Sequence, residues 1–156
     1  MLRASKAEKI HISNIVVAIN RKEHDYVLYD KHKRTMDEIE GELGSWRVIL
    51  SEDGNPVAFI KVHSINWISR VLKYSIIFST DADRRMIIRR VLSDLFDTYN
   101  CNKLTADIIY DRSEAIKDHI FLGGNIEVRK RQHYYLDGKY VHVVEMSIFQ
   151  NEFKNE

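Results

Sequence analysis

Histidine and arginine carry most of the chemistry this chain can offer. The seven histidines, His11, His24, His32, His63, His119, His133 and His142, are of a type that ligates metals or exchanges protons near neutral pH. They show no His-Glu-x-x-His or other tight ligand spacing, so no metal site is expected. Arg84, Arg85, Arg89 and Arg90 gather on one stretch, and guanidinium groups suit phosphate oxygens. A nucleic-acid contact through that face would show steep salt dependence; otherwise it is the solvated side of a helix. Arg129, Arg131 and His133 alternate along one strand face with Lys130 opposite, which reads as a hydrated outer surface. The single cysteine, Cys101, excludes an intrachain disulfide and, between Asn100 and Asn102, shows no cationic activator. Gly-x-Ser-x-Gly and Walker-type patterns are absent.

The elements that position these residues are readable in outline. Lys9-Ile10-His11-Ile12 reads as a short first strand, and Ser13 or Asn14 caps a helix running to about His24. Arg21 to Arg34 is polar and reads as a loop with broken helix, in which His24 and His32 are solvated. Thr35-Met36-Asp37-Glu38 has the capping-box form and opens a helix ending near Gly41 or Gly44. Trp46–Leu50 and Pro56–His63 are strands around the Glu52-Asp53-Gly54-Asn55 turn, and Val71–Phe78 follows. Trp46 and Trp67 are expected at sheet edges. Thr80-Asp81-Ala82-Asp83 is a second capping-box candidate. It precedes a helix marked by Ile88, Val91, Leu92, Leu95 and Tyr99 at helical spacing. Lys103–Tyr110 is the next strand and Ser113–Leu122 the last helix. Glu127–Leu136 and Tyr140–Phe149 form a hairpin around Asp137-Gly138. The pattern implies a mixed α/β (α+β) sheet, mostly antiparallel and flanked by helices, in one domain spanning residues 1–156.

Hydrophobic residues at 44% and charged residues at 30% favour a globule over a disordered chain. Lys plus Arg (24) nearly balance Asp plus Glu (23), so the charge asks for no nucleic-acid or membrane partner. The opening Met1-Leu2-Arg3-Ala4-Ser5-Lys6 lacks a signal-like apolar core, and no apolar run reaches the ~20 residues of a membrane span. A cytoplasmic location is expected.

Three signatures follow in fixed order: Arg112-Ser113-Glu114-Ala115-Ile116, Leu122-Gly123-Gly124, and Tyr135-Leu136-Asp137-Gly138-Lys139-Tyr140-Val141. With the element order β-α-α-β-β-β-α-β-α-β-β, they resemble the GNAT N-acetyltransferases over essentially the whole chain. The motifs are specific from Leu95-Phe96 onward. The sequence departs from that family in having no glycine between Gly54 and Gly123. The glycine positions of the pyrophosphate-binding turn fall near Ala82 and Arg84, so that loop is degenerate, and Asp81 and Asp83 stand beside it.

The resemblance implies an acyl-CoA-dependent N-acetyltransferase. It would move an acetyl group from acetyl-CoA to a primary amine, on a small molecule or a protein, by direct attack. The cofactor would lie in the splay between the fourth and fifth strands. Ile77, Phe78 and Ser79 would lend backbone contacts there, and Arg84 and Arg85 would hold the pyrophosphate. His119 aligns with the family's usual tyrosine and would protonate the departing thiolate. His63, Tyr74 or a water held by an acid would serve as base. The acceptor would enter beside the loop Arg21 to Arg34. The alternative is a catalytically inactive GNAT-fold binding or structural protein, such as a phage virion component, with a virion location. A homodimer or an assembly partner fits either reading.

Overall fold

The computed structural model describes residues 1–21, 24–28, 35–80 and 83–155. Seven strands form one sheet in the order β1-β2-β3-β4-β5-β7-β6. They are β1 (Arg3–Lys6), β2 (Trp46–Leu50), β3 (Pro56–Asn66), β4 (Val71–Phe78), β5 (Lys103–Ile109), β6 (Asn125–Leu136) and β7 (Lys139–Phe149). The helices are α1 (Ile12–Ile19), α2 (Met36–Gly41), α3 (Arg84–Tyr99) and α4 (Ser113–Phe121). Neighbouring strands are antiparallel except β4 and β5, which run parallel. The mixed sheet and the element order agree with the expectation.

The first strand lies earlier than expected. Arg3–Lys6 pairs with β2, whereas Lys9–His11 is a 3-10 turn leading into α1. The alternation through Ile10 and Ile12 imitates a strand, yet Ile10 is 75% exposed. Ile12 instead belongs with Ile15, Ala18 and Ile19, an apolar stripe at helical spacing that buries against the sheet. The helix therefore starts at Ile12, before either Ser13 or Asn14, and ends at Ile19 rather than near His24.

Helix ends follow hydrogen-bonding chemistry. Thr35 caps α2 by accepting from the Glu38 N–H at 3.3 Å. For α3 the cap is Asp83, not Thr80: its carboxylate accepts from the Met86 N–H at 3.2 Å. Asp81 and Ala82, part of the expected capping box, lie outside the described residues. Asn100 closes α3 in the left-handed conformation, which asparagine tolerates.

The sheet carries a core on each face. α1 and α2 cover Val48, Phe59 and Ile77 on one side, while α3 and α4 cover Ile60, Tyr74, Ile76 and Leu104 on the other. Trp46 is buried in the first core rather than at an edge. Trp67 sits exposed in the β3–β4 connection. The β6–β7 turn has Asp137 and Gly138 both at positive φ (50° and 83°) between paired Leu136 and Lys139, the geometry of a type I′ hairpin. On β6, Gln132 at φ 47° and a register shift after Lys130 break the even alternation expected through Arg129, Arg131 and His133.

Candidate active site

β4 and β5 pair only at their beginnings, Val71 with Lys103, Leu72 with Leu104 and Lys73 with Thr105. Beyond Lys73 they part. Along an antiparallel ladder, successive residues turn their N–H and C=O groups to opposite edges. The Ser79 N–H donates to the Val57 carbonyl at 3.0 Å, so Ser79 and Ile77 face β3. Ile76 and Phe78 face the splay. Of the three backbone contacts expected at Ile77, Phe78 and Ser79, it is Phe78 that points there. An open cavity of about 430 Å³ lies at this end of β4, lined by Asn14, Ala18, Arg21, Asn55 and Ser79.

A short piece of the chain threads the splay. The Val27 N–H donates to the Asp107 carbonyl at 2.8 Å, and the Ile109 N–H donates to the Asp25 carbonyl at 2.9 Å. Tyr26 thereby forms an antiparallel bridge with Ile108. On the β4 side, the Ser75 hydroxyl donates to the Val27 carbonyl at 2.6 Å. The polar reading of Arg21 to Arg34 gave no hint of this: Tyr26, Val27 and Leu28 are buried. His24 is buried as well, with Nε2 3.0 Å from the Ile19 carbonyl, which corrects its expected solvation. His32 lies outside the described residues.

At the head of the splay, His119 meets two phenols. Its Nδ1 is 2.9 Å from the Ala115 carbonyl, which can only accept, so Nδ1 carries the ring proton. Nε2 is then an acceptor, and the Tyr74 hydroxyl donates to it at 2.7 Å. The Tyr26 hydroxyl lies 3.3 Å from the same nitrogen. The cluster is fully enclosed, and burial pushes the His119 pKa down to about 4. Burial likewise raises the pKa of Tyr74, and of Tyr26, where Tyr74 and nearby carboxylates add to the effect. Near neutral pH the ring is uncharged and works as an acceptor at Nε2.

Arg84 and Arg85 stand on the first turn of α3, as expected, and each holds a carboxylate. Arg84 Nη1 is 2.5 Å from Asp25 Oδ2, and Arg85 Nε is 2.8 Å from Asp118 Oδ1 on α4. Arg84 also lies over the Phe78 ring and Arg85 over Phe121. The arginine side chains remain 38% and 43% exposed, so an incoming anion can reach them.

His63 occupies an irregularity in the β3–β4 register. Its Nε2 is 2.6 Å from the Ser75 hydroxyl, whose proton is directed at Val27, so Nε2–H is the donor. On β5, the buried Asp107 carboxylate takes Lys73 at 3.1 Å and Lys130 at 3.2 Å; Lys130 also reaches Glu145 at 2.7 Å. Lys130 is thus bound inward, and desolvation raises the Asp107 pKa against the pull of that ammonium. Among the described residues no cluster of His, Cys, Asp and Glu is arranged to hold a metal ion.

The same architecture occurs in solved structures. Spermidine N-acetyltransferase from Vibrio cholerae, in complex with CoA and spermine, superposes with a TM-score of 0.84. The match covers 97% of this chain and 96% of that one at 20% identity. This chain is a GNAT-fold protein. A chimera of the Vibrio cholerae enzyme with hSSAT shares the GNAT fold at a TM-score of 0.82 over 99% of both chains, again at 20% identity. In sequence, spermidine N(1)-acetyltransferase of Escherichia coli (strain K12) is 24% identical over 133 residues, covering 83% of this chain and 68% of that protein. No family model matches the chain.

Proposed function

We propose that the protein is an acyl-CoA-dependent N-acetyltransferase of amines, with a polyamine-like primary amine as acceptor. The observation that carries this reading is the parting of β4 and β5 after Lys73, which leaves the Ile76 and Phe78 amides on an edge β5 does not pair. The likeness to spermidine acetyltransferases over most of the chain supports the acceptor class. No virion protein is among those relatives, so the structural alternative gains no support from them.

The residues present fit a CoA thioester on two counts. Partly exposed guanidinium groups at the α3 amino terminus suit a pyrophosphate, provided each exchanges its carboxylate for a phosphate oxygen. An amide N–H directed into the splay, such as that of Phe78, suits a thioester carbonyl. Acetyl-CoA, when bound, supplies the activated acyl group. His63, whose Nε2–H donates to the Ser75 hydroxyl, is the candidate base. His119 takes a different part from the acid first expected of it. Neutral and accepting at Nε2, it holds the phenol of Tyr74 in place.

Calorimetric titration with acetyl-CoA and with CoA tests the reading. Binding in the micromolar range is expected, and the double variant Arg84→Ala, Arg85→Ala should weaken it by tenfold or more, about 1.4 kcal/mol. Acetyl-CoA turnover with spermidine present and absent then tests the acceptor. No binding at millimolar ligand would sink the enzyme reading. Unchanged affinity in the double variant would sink the arginine assignment alone.

A further inference from the structure

The slot expected to take the cofactor is filled by the chain itself. Tyr26, Val27 and Leu28 are buried. The Tyr26 ring stands between β4 and α4, with its centroid 6.2 Å from Tyr74, 6.4 Å from Phe78 and 5.6 Å from His119. Its backbone takes up the β5 edge that β4 leaves unpaired, through the Val27 N–H to the Asp107 carbonyl and the Ile109 N–H to the Asp25 carbonyl. From β4, the Ser75 hydroxyl reaches the Val27 carbonyl. Residues 25–28 thus hold both strands at the place where an acyl-CoA arm would run between them.

An ion pair ties this stretch to the arginines expected to hold the pyrophosphate. Asp25 Oδ2 lies 2.5 Å from Arg84 Nη1, and Asp25 Oδ1 lies 3.9 Å from Arg112 Nε at the head of α4. The Asp25 carboxylate and a phosphate oxygen therefore compete for the same guanidinium, since both are anionic acceptors. We infer that residues 25–28 are a displaceable plug, which occupies the splay in alternation with the cofactor. The contest for Arg84 couples the entry of one to the withdrawal of the other. This inference rests on the acetyltransferase reading above.

The exchange replaces like with like. A pyrophosphate takes over Arg84 and leaves Asp25 with the more distant Arg112. An extended arm bearing amides takes over strand edges that the plug had paired, and its methylene groups cover apolar wall that Tyr26 uncovers. Because the two arrangements exclude each other, the apparent cofactor affinity is the intrinsic affinity scaled by the fraction of molecules with the plug withdrawn. Every hold on the plug lowers that fraction. Loosening a hold therefore raises affinity without adding any contact to the cofactor.

Hydrogen exchange and calorimetry on the whole chain test the plug, and neither needs turnover. Addition of CoA should speed exchange at the Val27 and Ile109 amides, while the amides paired between β3 and β4 stay protected. Ser75→Ala removes the hold on Val27 without changing the charge beside the arginines, and should bind CoA about tenfold more tightly than wild type. Asp25→Asn should tighten binding as well. A gain in Asp25→Asn with none in Ser75→Ala would reduce the effect to charge and overturn the plug. CoA binding that leaves the Val27 and Ile109 amides as protected as before also overturns it, with the acetyltransferase reading intact. Failure of wild type to bind CoA overturns that reading and this one together.

Discussion

At the scale of single residues, burial decides what a titratable group does. His119 has a folded pKa of about 4 against an ordinary 6.5, because the enclosed ring loses solvation when charged. Between those values the unfolded chain binds more protons than the folded one. The stability tied to His119 is therefore complete above about pH 6.5 and is lost as pH falls toward 4, by an amount on the order of 3 kcal/mol. His119→Gln keeps an acceptor for Tyr74 without titrating. Urea unfolding at pH 7.5 and pH 4.5 should show a smaller loss on acidification in the variant than in wild type; equal losses would mean that His119 is not a buried neutral group. The histidine itself was legible in the sequence by its place beside Ala115-Ile116. Its two phenolic neighbours were not, since Tyr74 lies 45 positions away and Tyr26 lies 93 away.

At the scale of elements, local chemistry was readable where backbone geometry leaves few options. The Asp137-Gly138 turn, the Thr35 cap and the Leu122-Gly123 helix end all stand where the sequence places them, because positive φ or an unpaired N–H demands particular residues. Two of these glycines separate conformation from crowding. Gly123 sits at φ +106°, and an added Cβ would come within 2.1 Å of the Glu152 carbonyl oxygen; Gly138 sits at φ +83° with open space around it. Gly138→Ala should cost about 1 kcal/mol from backbone strain alone. Gly123→Ala should cost clearly more, because the clash is with backbone. Chemical denaturation of both variants measures the difference, and equal costs would contradict the close approach of residue 152 to the α4 end. Capping was ambiguous where two candidates lay three residues apart. Thr80 and Asp83 can both accept an N–H, and the start of α3 at Arg84 selected Asp83.

At the scale of the whole molecule, one sheet serves two cores. Arg47 on β2 grips Asp94 on α3 through two hydrogen bonds, of 2.5 and 2.7 Å, and both charges are buried. Removing one partner from such a pair is costly because the other charge stays enclosed. Since the α1/α2 core and the α3/α4 core share the strands between them, neither is expected to melt alone. Fluorescence of Trp46, which reports on the first core, should follow the same unfolding curve as far-UV circular dichroism. Two separated transitions would show that the cores are independent. No helix among the described residues is long and apolar enough to cross a membrane.

The sequence by itself determined the order of strands and helices, the turns that need glycine, and the presence of arginines at the head of α3. These follow from periodicity and local backbone demands, which operate within a few residues. Tertiary structure alone decided which carboxylates those arginines hold, which backbone amides face the splay, and that residues 25–28 thread it. It also decided that two tyrosines compete for one histidine nitrogen. Those facts depend on distances between residues far apart in the chain, and only the packed sheet brings them within hydrogen-bond reach.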